Sequence, residues 1–214
     1  MTIEEAIKNR HAVRAYKDAP IAQDIVERLR EEVTACNNES GLHLQLVTND
    51  KEAFNCLMAR YGNFKNVANY FVLVGHKNDP QLDRKCGYYG ERLVLLAQQL
   101  GLNTCWVTTS FKKNNERMQL TDGEKLVCVI AVGYGETQGK GHKTKSISDV
   151  CAMEHLSDTF RKGIEYALLA PSSFNQQRYK IEIVDGKGTV TPKWGLYTKI
   201  DAGIAQYHFD QAFV

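Results

Sequence analysis

A proline at position 171 most constrains the fold of this chain. It separates Ile164-Glu165-Tyr166-Ala167-Leu168-Leu169-Ala170, which reads as the end of a helix, from Tyr179-Lys180-Ile181-Glu182-Ile183-Val184, which alternates as a strand does. Proline has no N–H and biases the preceding residue away from helical angles, so the helix must stop there. Between the two apolar elements lie Ser172, Ser173, Asn175, Gln176 and Gln177, uncharged side chains that can both donate and accept hydrogen bonds. Such a loop suits a neutral, planar ligand with alternating donors and acceptors. It is also the composition of an ordinary polar turn.

The same local plan echoes earlier in the chain. At a constant offset of 137 positions, Asn38 falls on Asn175, and Leu44, Leu46 and Val47 fall on Ile181, Ile183 and Val184. Both segments are expected to run helix end, polar loop (Thr34 to Ser40 in the first copy), strand. Each is followed by an apolar or small-residue helix, from Tyr88 and from Asp201. Identity is low, and coincidence is the alternative. A true repeat would make the chain an internal pseudo-dimer in which only the second copy keeps the Pro-Ser-Ser and Gln-Gln chemistry.

The remaining pattern favours an α+β fold. Leu42–Val47, Tyr70–Gly75, Cys105–Thr108, Lys125–Val132 and a segment near Thr189 read as strands. Helices are expected after the Thr2 cap, after Pro20 with Ile25, Val26, Leu29 and Val33 inward, over 51–61, over 88–100, and over 157–170. They do not alternate strictly with the strands, which argues against a doubly wound parallel sheet. Residues 88–100 are apolar all round and belong inside the core. The expected organisation is an N-terminal repeat, 1–150, carrying basic segments, and a C-terminal repeat, 151–214, carrying the polar loop, in one compact unit.

Composition enters by exclusion. A formal net charge of +2 gives no bulk electrostatic case for nucleic acid or membrane partners. Apolar runs such as Val127–Val132 are too short to span a bilayer, and the acidic, helical start Thr2–Ile7 is no signal peptide. Cysteines at 36, 56, 86, 105, 128 and 151 form no CxxC pair or metal-ligand spacing, so a reducing, cytoplasmic setting without a metal is expected. Neither GxxxxGK[ST] nor GxGxxG is present.

Positive charge is local instead. Arg10 and Arg14 flank His11 and Ala12, and in an extended segment the two arginines can converge on one anion. They could equally form an exposed basic helix end. Lys143 and Lys145 occupy alternate positions in the Gly139–Ser148 loop and point the same way if it is extended. A solvated surface loop is the plainer reading. Taken together, two basic segments for a phosphate and a neutral polar loop for a flat ring match the two ends of flavin mononucleotide (FMN).

Four motifs carry a family resemblance. Arg10-His11-Ala12-Val13-Arg14-Ala15-Tyr16 resembles the basic opening of FMN-dependent nitroreductases and flavin reductases, R-R/H-S-x-R-x-F. Ala170-Pro171-Ser172-Ser173-Phe174-Asn175-Gln176-Gln177 resembles their A-P-S-x-x-N-x-Q-P-W loop. Leu100-Gly101-Leu102-Asn103-Thr104-Cys105-Trp106-Val107 is similar to their LGLGS-C-W segment, and Gly133–Val150 to their closing basic segment. Ala12 replaces the usual serine, and Arg178 stands near the family's Pro-Trp. The Ser-Asn loop comes late in the chain, as in a smaller branch with two repeats.

The resemblance implies a nitroreductase-like α+β fold of two degenerate repeats, with FMN as cofactor and NADH or NADPH as reductant. It implies ping-pong hydride transfer to a small-molecule acceptor such as a nitroaromatic or quinone, by a monomer or homodimer. Arg10, Arg14, Lys143 and Lys145 would hold phosphate and ribityl, with His11 and Ala12 beside them. Pro171, Ser172, Ser173, Asn175 and Gln176 would line the ring. No indispensable protein acid or nucleophile is expected, because flavin N5 is the reacting atom. The alternative is a non-catalytic FMN- or nucleotide-binding protein.

Overall fold

The computed structural model describes residues 1–113, 116–153, 155–184 and 186–214. Its larger sheet has strands β1 (Gln45–Val47), β2 (Tyr70–His76), β3 (Asn103–Val107) and β4 (Glu124–Gly133) in the order β1-β2-β4-β3, all antiparallel. A second sheet pairs β5 (Tyr179–Val184) with β6 (Lys187–Pro192), also antiparallel. This mixed helix-and-sheet architecture is the α+β class expected from the sequence.

Alternation along β2 explains why the central strand is apolar throughout. Phe71 and Leu73 face a core built with α2 (Gln23–Ser40) and α4 (Leu82–Gln99), where Leu29, Val33 and Leu93 pack. Tyr70, Val72 and Val74 face a second core with Phe54, Val107 and Val129, beside α3 (Leu57–Tyr61). Side chains of a strand point alternately to opposite faces, so a sheet covered on both faces needs an unbroken apolar run. A third core joins the short α5 (Ile147–Val150), α6 (Asp158–Leu169) and α7 (Thr198–Asp210) to the small sheet through Val150, Ile164, Ala167, Ile181, Val190 and Phe209. Among the described residues no helix is long and apolar enough to cross a membrane.

The 1–150 and 151–214 segments meet where α4 crosses α7. A Cβ on Gly87 would collide with the carbonyl oxygen of Ile200, and one on Gly203 with the carbonyl oxygen of Arg84. Only glycine lets the two backbones approach so closely. Arg84 then reaches past the crossing, donating to the Val190 carbonyl oxygen at 2.6 Å and to Gln206 Oε1 at 3.1 Å.

One expectation is corrected. Thr34–Ser40 is not a polar loop; it is the last two turns of α2, which stops at Gly41 with φ of 71°. The turn-forming side chains close on nearby backbone instead. Asn37 donates to the Leu44 carbonyl oxygen at 2.9 Å and accepts from the Leu44 N–H at 2.7 Å. Ser40 Oγ donates to the Cys36 carbonyl oxygen at 2.6 Å and accepts from the Leu42 N–H at 3.0 Å. Nothing in this segment stops a helix until a glycine supplies the left-handed cap. In the 170–184 segment Pro171 stops the helix instead, and α6 ends at Leu169.

Candidate active site

The α1 helix (Ile3–Asn9) starts with a capping box: Thr2 Oγ1 accepts from the Glu5 N–H, and the Glu5 carboxylate accepts from the Thr2 N–H. Beyond α1 the chain runs extended along the edge of β3. Ala12 bridges Thr104, the Val13 N–H donates to the Thr104 carbonyl oxygen at 3.0 Å, and Tyr16 bridges Gly135. In an extended segment alternate residues face one way. Arg10, Ala12 and Arg14 therefore share one wall of a cleft of about 350 Å³, while His11 packs against Gly139.

The opposite wall is Pro171, Ser172 and Ser173, backed by Ile200, Asp201 and Ile204 of α7. Phe64, Trp106 and Tyr197 add flat surfaces, and Thr108, Thr109 and Ser110 add hydroxyls just beyond β3. Residues from both the 1–150 and 151–214 segments thus build one site.

Its electrostatics are uneven. Arg10 is only 3% exposed, and its side chain makes no hydrogen bond among the described residues. Its Nε lies 3.7 Å from Glu91 Oε1. Burial pushes its pKa down, partly offset by Glu91. Arg14 is exposed and forms no ion pair among the described residues. At the other end Asp201 Oδ1 accepts from both the N–H (3.0 Å) and the hydroxyl (3.1 Å) of Ser173. Its Oδ2 is buried without a partner, and burial raises the pKa to about 6. Cys105, on the cleft floor, is raised by burial against the pull of Arg14 and Arg10.

The polar loop is held in an unusual shape. Phe174, Asn175 and Gln177 adopt φ of 54°, 54° and 47°, a region that non-glycine residues enter at a cost and often at functional sites. Gln177 anchors it from inside: Oε1 accepts from the Lys145 N–H at 2.8 Å, and Nε2 donates to the carbonyl oxygens of Lys143 and Leu168, both at 3.3 Å. Asn175 Nδ2 donates to the Lys143 carbonyl oxygen at 2.9 Å, and Lys145 Nζ donates to the Gln177 carbonyl oxygen at 2.9 Å. Ser172 Oγ accepts from the Gln177 N–H at 3.0 Å.

The cleft therefore brings together Arg10, Ala12, Arg14, Pro171, Ser172 and Ser173. It leaves His11, Lys143, Lys145, Asn175 and Gln176 outside its lining. The basic loop and the polar loop do meet, but by stapling one backbone to the other. Sequence reasoning placed Gln177 in the polar loop and Trp106 in a family segment without giving either a site role, and passed over the Asp201 carboxyl. Asp201 had a readable signal: it is a lone acid in Ile200-Asp201-Ala202-Gly203-Ile204, and acids are seldom fully buried without a partner.

Known structures with this arrangement are nitroreductase-like. A putative nitroreductase from Thermotoga maritima is 22% identical, with a TM-score of 0.73 over 99% of this chain and 83% of its own. A nitroreductase-like family protein from Bacillus cereus is 19% identical, with a TM-score of 0.56 over 73% of this chain and 96% of its own. A putative NADH dehydrogenase/NAD(P)H nitroreductase from Parabacteroides distasonis is 21% identical, with a TM-score of 0.54 over 69% of this chain and 95% of its own. These likenesses establish the fold. No curated protein is similar enough to match. The family described as "Putative TM nitroreductase" matches residues 2–213, and this chain belongs to it. It is an oxidoreductase of the nitroreductase kind.

Proposed function

We propose that the cleft binds FMN and that the protein passes electrons from NADH or NADPH to a nitroaromatic, quinone or similar small acceptor in ping-pong fashion. The observation that carries this reading is Arg10, a nearly dry guanidinium with no hydrogen bond, lining a cleft whose far wall is hydroxyl and apolar surface backed by the Asp201 carboxyl. A buried donor whose charged neighbour, Glu91 at 3.7 Å, lies beyond hydrogen-bonding distance is costly, and an anionic group on the ligand would reduce the cost. Arg14 adds a second charge on the same wall. Phe64, Trp106, Ile200 and Ile204 suit the faces of a flat ring, and Ser172 retains a hydroxyl hydrogen for its edge. Both ends of FMN are thus matched by residues present. The bound flavin supplies the hydride chemistry. The chain's own work is to bind, orient and shield it.

On this reading Lys143, Lys145, Asn175 and Gln176 serve by fixing the loop, and Ser173 by holding Asp201. The reductant assignment is supported by the Parabacteroides relative, whose own name includes NADH dehydrogenase/NAD(P)H nitroreductase. The test is direct. The purified protein should carry or take up flavin, bleach anaerobically with NADH or NADPH, and recover its colour with menadione. Binding without bleaching by either nucleotide would sink the reductase; no flavin uptake would sink the cofactor assignment.

We infer also that the chain is an internal pseudo-dimer. The first half runs α2-β1-α3-β2-α4 and the second α6-β5-β6-α7, so that apart from the inserted α3 both order helix, strand, antiparallel strand, helix. Leu46 pairs with Phe71 as Ile183 pairs with Gly188. Equivalent positions are 137 apart at Leu46 and Ile183, 117 apart at Phe71 and Gly188, and 116 apart at Gly87 and Gly203. The drop reflects segment 48–69, which the second half replaces by a hairpin. The glycine crossing has the reciprocity of a two-fold interface, each glycine resting on the carbonyl three residues before the other.

A further inference from the structure

Beneath the cleft lies a buried set of charges that flavin binding leaves unexplained. Glu91 of α4 and His208 of α7 are both fully buried. His208 Nε2 lies 2.8 Å from Glu91 Oε1, and Trp106 Nε1 donates to Glu91 Oε2 at 2.9 Å. On its other side His208 Nδ1 stands 3.1 Å from the Tyr166 carbonyl oxygen. Arg10 approaches the same Glu91 oxygen that His208 contacts.

The donor and acceptor inventory fixes where hydrogens must be. A carbonyl oxygen only accepts, so Nδ1 of His208 carries a hydrogen. An indole only donates, so Oε2 of Glu91 is an acceptor. Two bare lone pairs do not sit at 2.8 Å, so one proton lies between Nε2 and Oε1. The indole N–H and the Arg10 cation both favour a carboxylate, which puts that proton on nitrogen. His208 is then an imidazolium that neutralises Glu91. The other imidazoles near Arg10 do not supply this charge: burial, with the field of Arg10 added, holds His11 towards its neutral form, and burial does the same at His142 against the opposing pull of its bond to the Leu168 carbonyl.

We propose that Glu91 and His208 are positioning residues that keep Arg10 net cationic for the anionic end of the cleft's ligand. With the proton in place the three groups sum to one positive charge, so Arg10 keeps a net positive field towards the cleft despite Glu91 at 3.7 Å. Without it, Glu91 compensates Arg10 and the anion site is lost. This rests on the reading that Arg10 meets the ligand's anionic group.

The experiment compares FMN with riboflavin, which lacks the phosphate, by calorimetry on four full-length proteins. The ratio of the two dissociation constants isolates the anionic end. Glu91→Gln accepts from Trp106 and donates to a neutral His208, so net charge beside Arg10 is unchanged and the wild-type ratio is expected. His208→Gln leaves an ionised Glu91 against Arg10, and the FMN preference should fall by about tenfold. The double variant replaces both charges by amides and should recover the ratio to within about twofold. A purely structural role would make the double variant the worst of the set. His208→Gln with the wild-type ratio, or a double variant as weak as His208→Gln, would overturn the proposal. Nitrogen-15 spectra of the flavin-free protein give an independent readout: both His208 nitrogens should be protonated in the wild type and only one in Glu91→Gln, and a neutral His208 in the wild type also overturns it. If the wild type takes up neither flavin, the flavin reading fails on its own. The same four proteins must then show the same pattern with inorganic pyrophosphate, or this proposal fails too.

Discussion

Segments 33–47 and 170–184 start from the same plan and end in different places. In the first, α2 runs on to Ser40, and Asn37 and Ser40 spend their polar groups on backbone within the same turn and strand. In the second, Pro171 ends the helix, and the next residues fold out as a strained loop that walls a cleft. The difference teaches that the binding chemistry depends less on which polar residues are present than on whether the helix is allowed to consume them. Ser, Asn and Glu at 37–40 remain part of a helix; of the polar residues at 172–177, Ser172 and Ser173 line the cleft while Asn175 and Gln177 fix the loop's backbone.

The largest expected effect lies where the halves cross. Gly87→Ala and Gly203→Ala each put a methyl group onto a backbone carbonyl, and each should cost about 3 kcal/mol in urea unfolding. Similar losses would sharpen the two-fold comparison; a loss at one position only would break it. Next come the loop anchors. Gln177→Ala leaves the half-buried Lys145 N–H without its acceptor and should cost about 2 kcal/mol together with most flavin affinity. Asn37→Ala removes a comparable pair of backbone hydrogen bonds in the first copy, and should cost about 1–2 kcal/mol while leaving flavin affinity unchanged. Equal flavin loss in both would erase the distinction between the copies.

Asp201 gives a smaller, pH-dependent effect. Burial raises its pKa from 3.8 to about 6, so ionising it opposes folding. Stability from this group is complete below pH 4 and falls as pH rises through 6. Asp201→Asn should therefore raise the melting temperature relative to wild type at pH 8, by the equivalent of roughly 2 kcal/mol, with the gap closing towards pH 4. A constant gap across that range would show that the carboxyl is not titrating in the folded protein.

Much of the fold was legible. The apolar run at 70–75 and the crowded helix at 88–100 announced the central strand and the core helix, because burial on every side leaves no room for alternation. The parity of Arg10, Ala12 and Arg14 followed from an extended segment once the β3 edge was there to hold it. What escaped was set by tertiary partners. Composition alone cannot tell the polar end of α2 from a loop, since Thr, Asn and Ser tolerate both and only the cap decides. Nor can it tell that Lys145 would be spent on Gln177, because the two lie 32 residues apart. The Glu91–His208 contact is farther still, spanning 117 residues, with nothing local to mark it.

The glycine crossing has one more consequence. The wall carrying Arg10 and the wall carrying Ser172 are tethered through α4 and α7 of a single polypeptide. A site assembled between separate subunits empties on dilution as the subunits part. Here the second wall is present at the local concentration its own chain imposes, so at a fixed concentration of free ligand the occupancy of this cleft should not change as the protein is diluted.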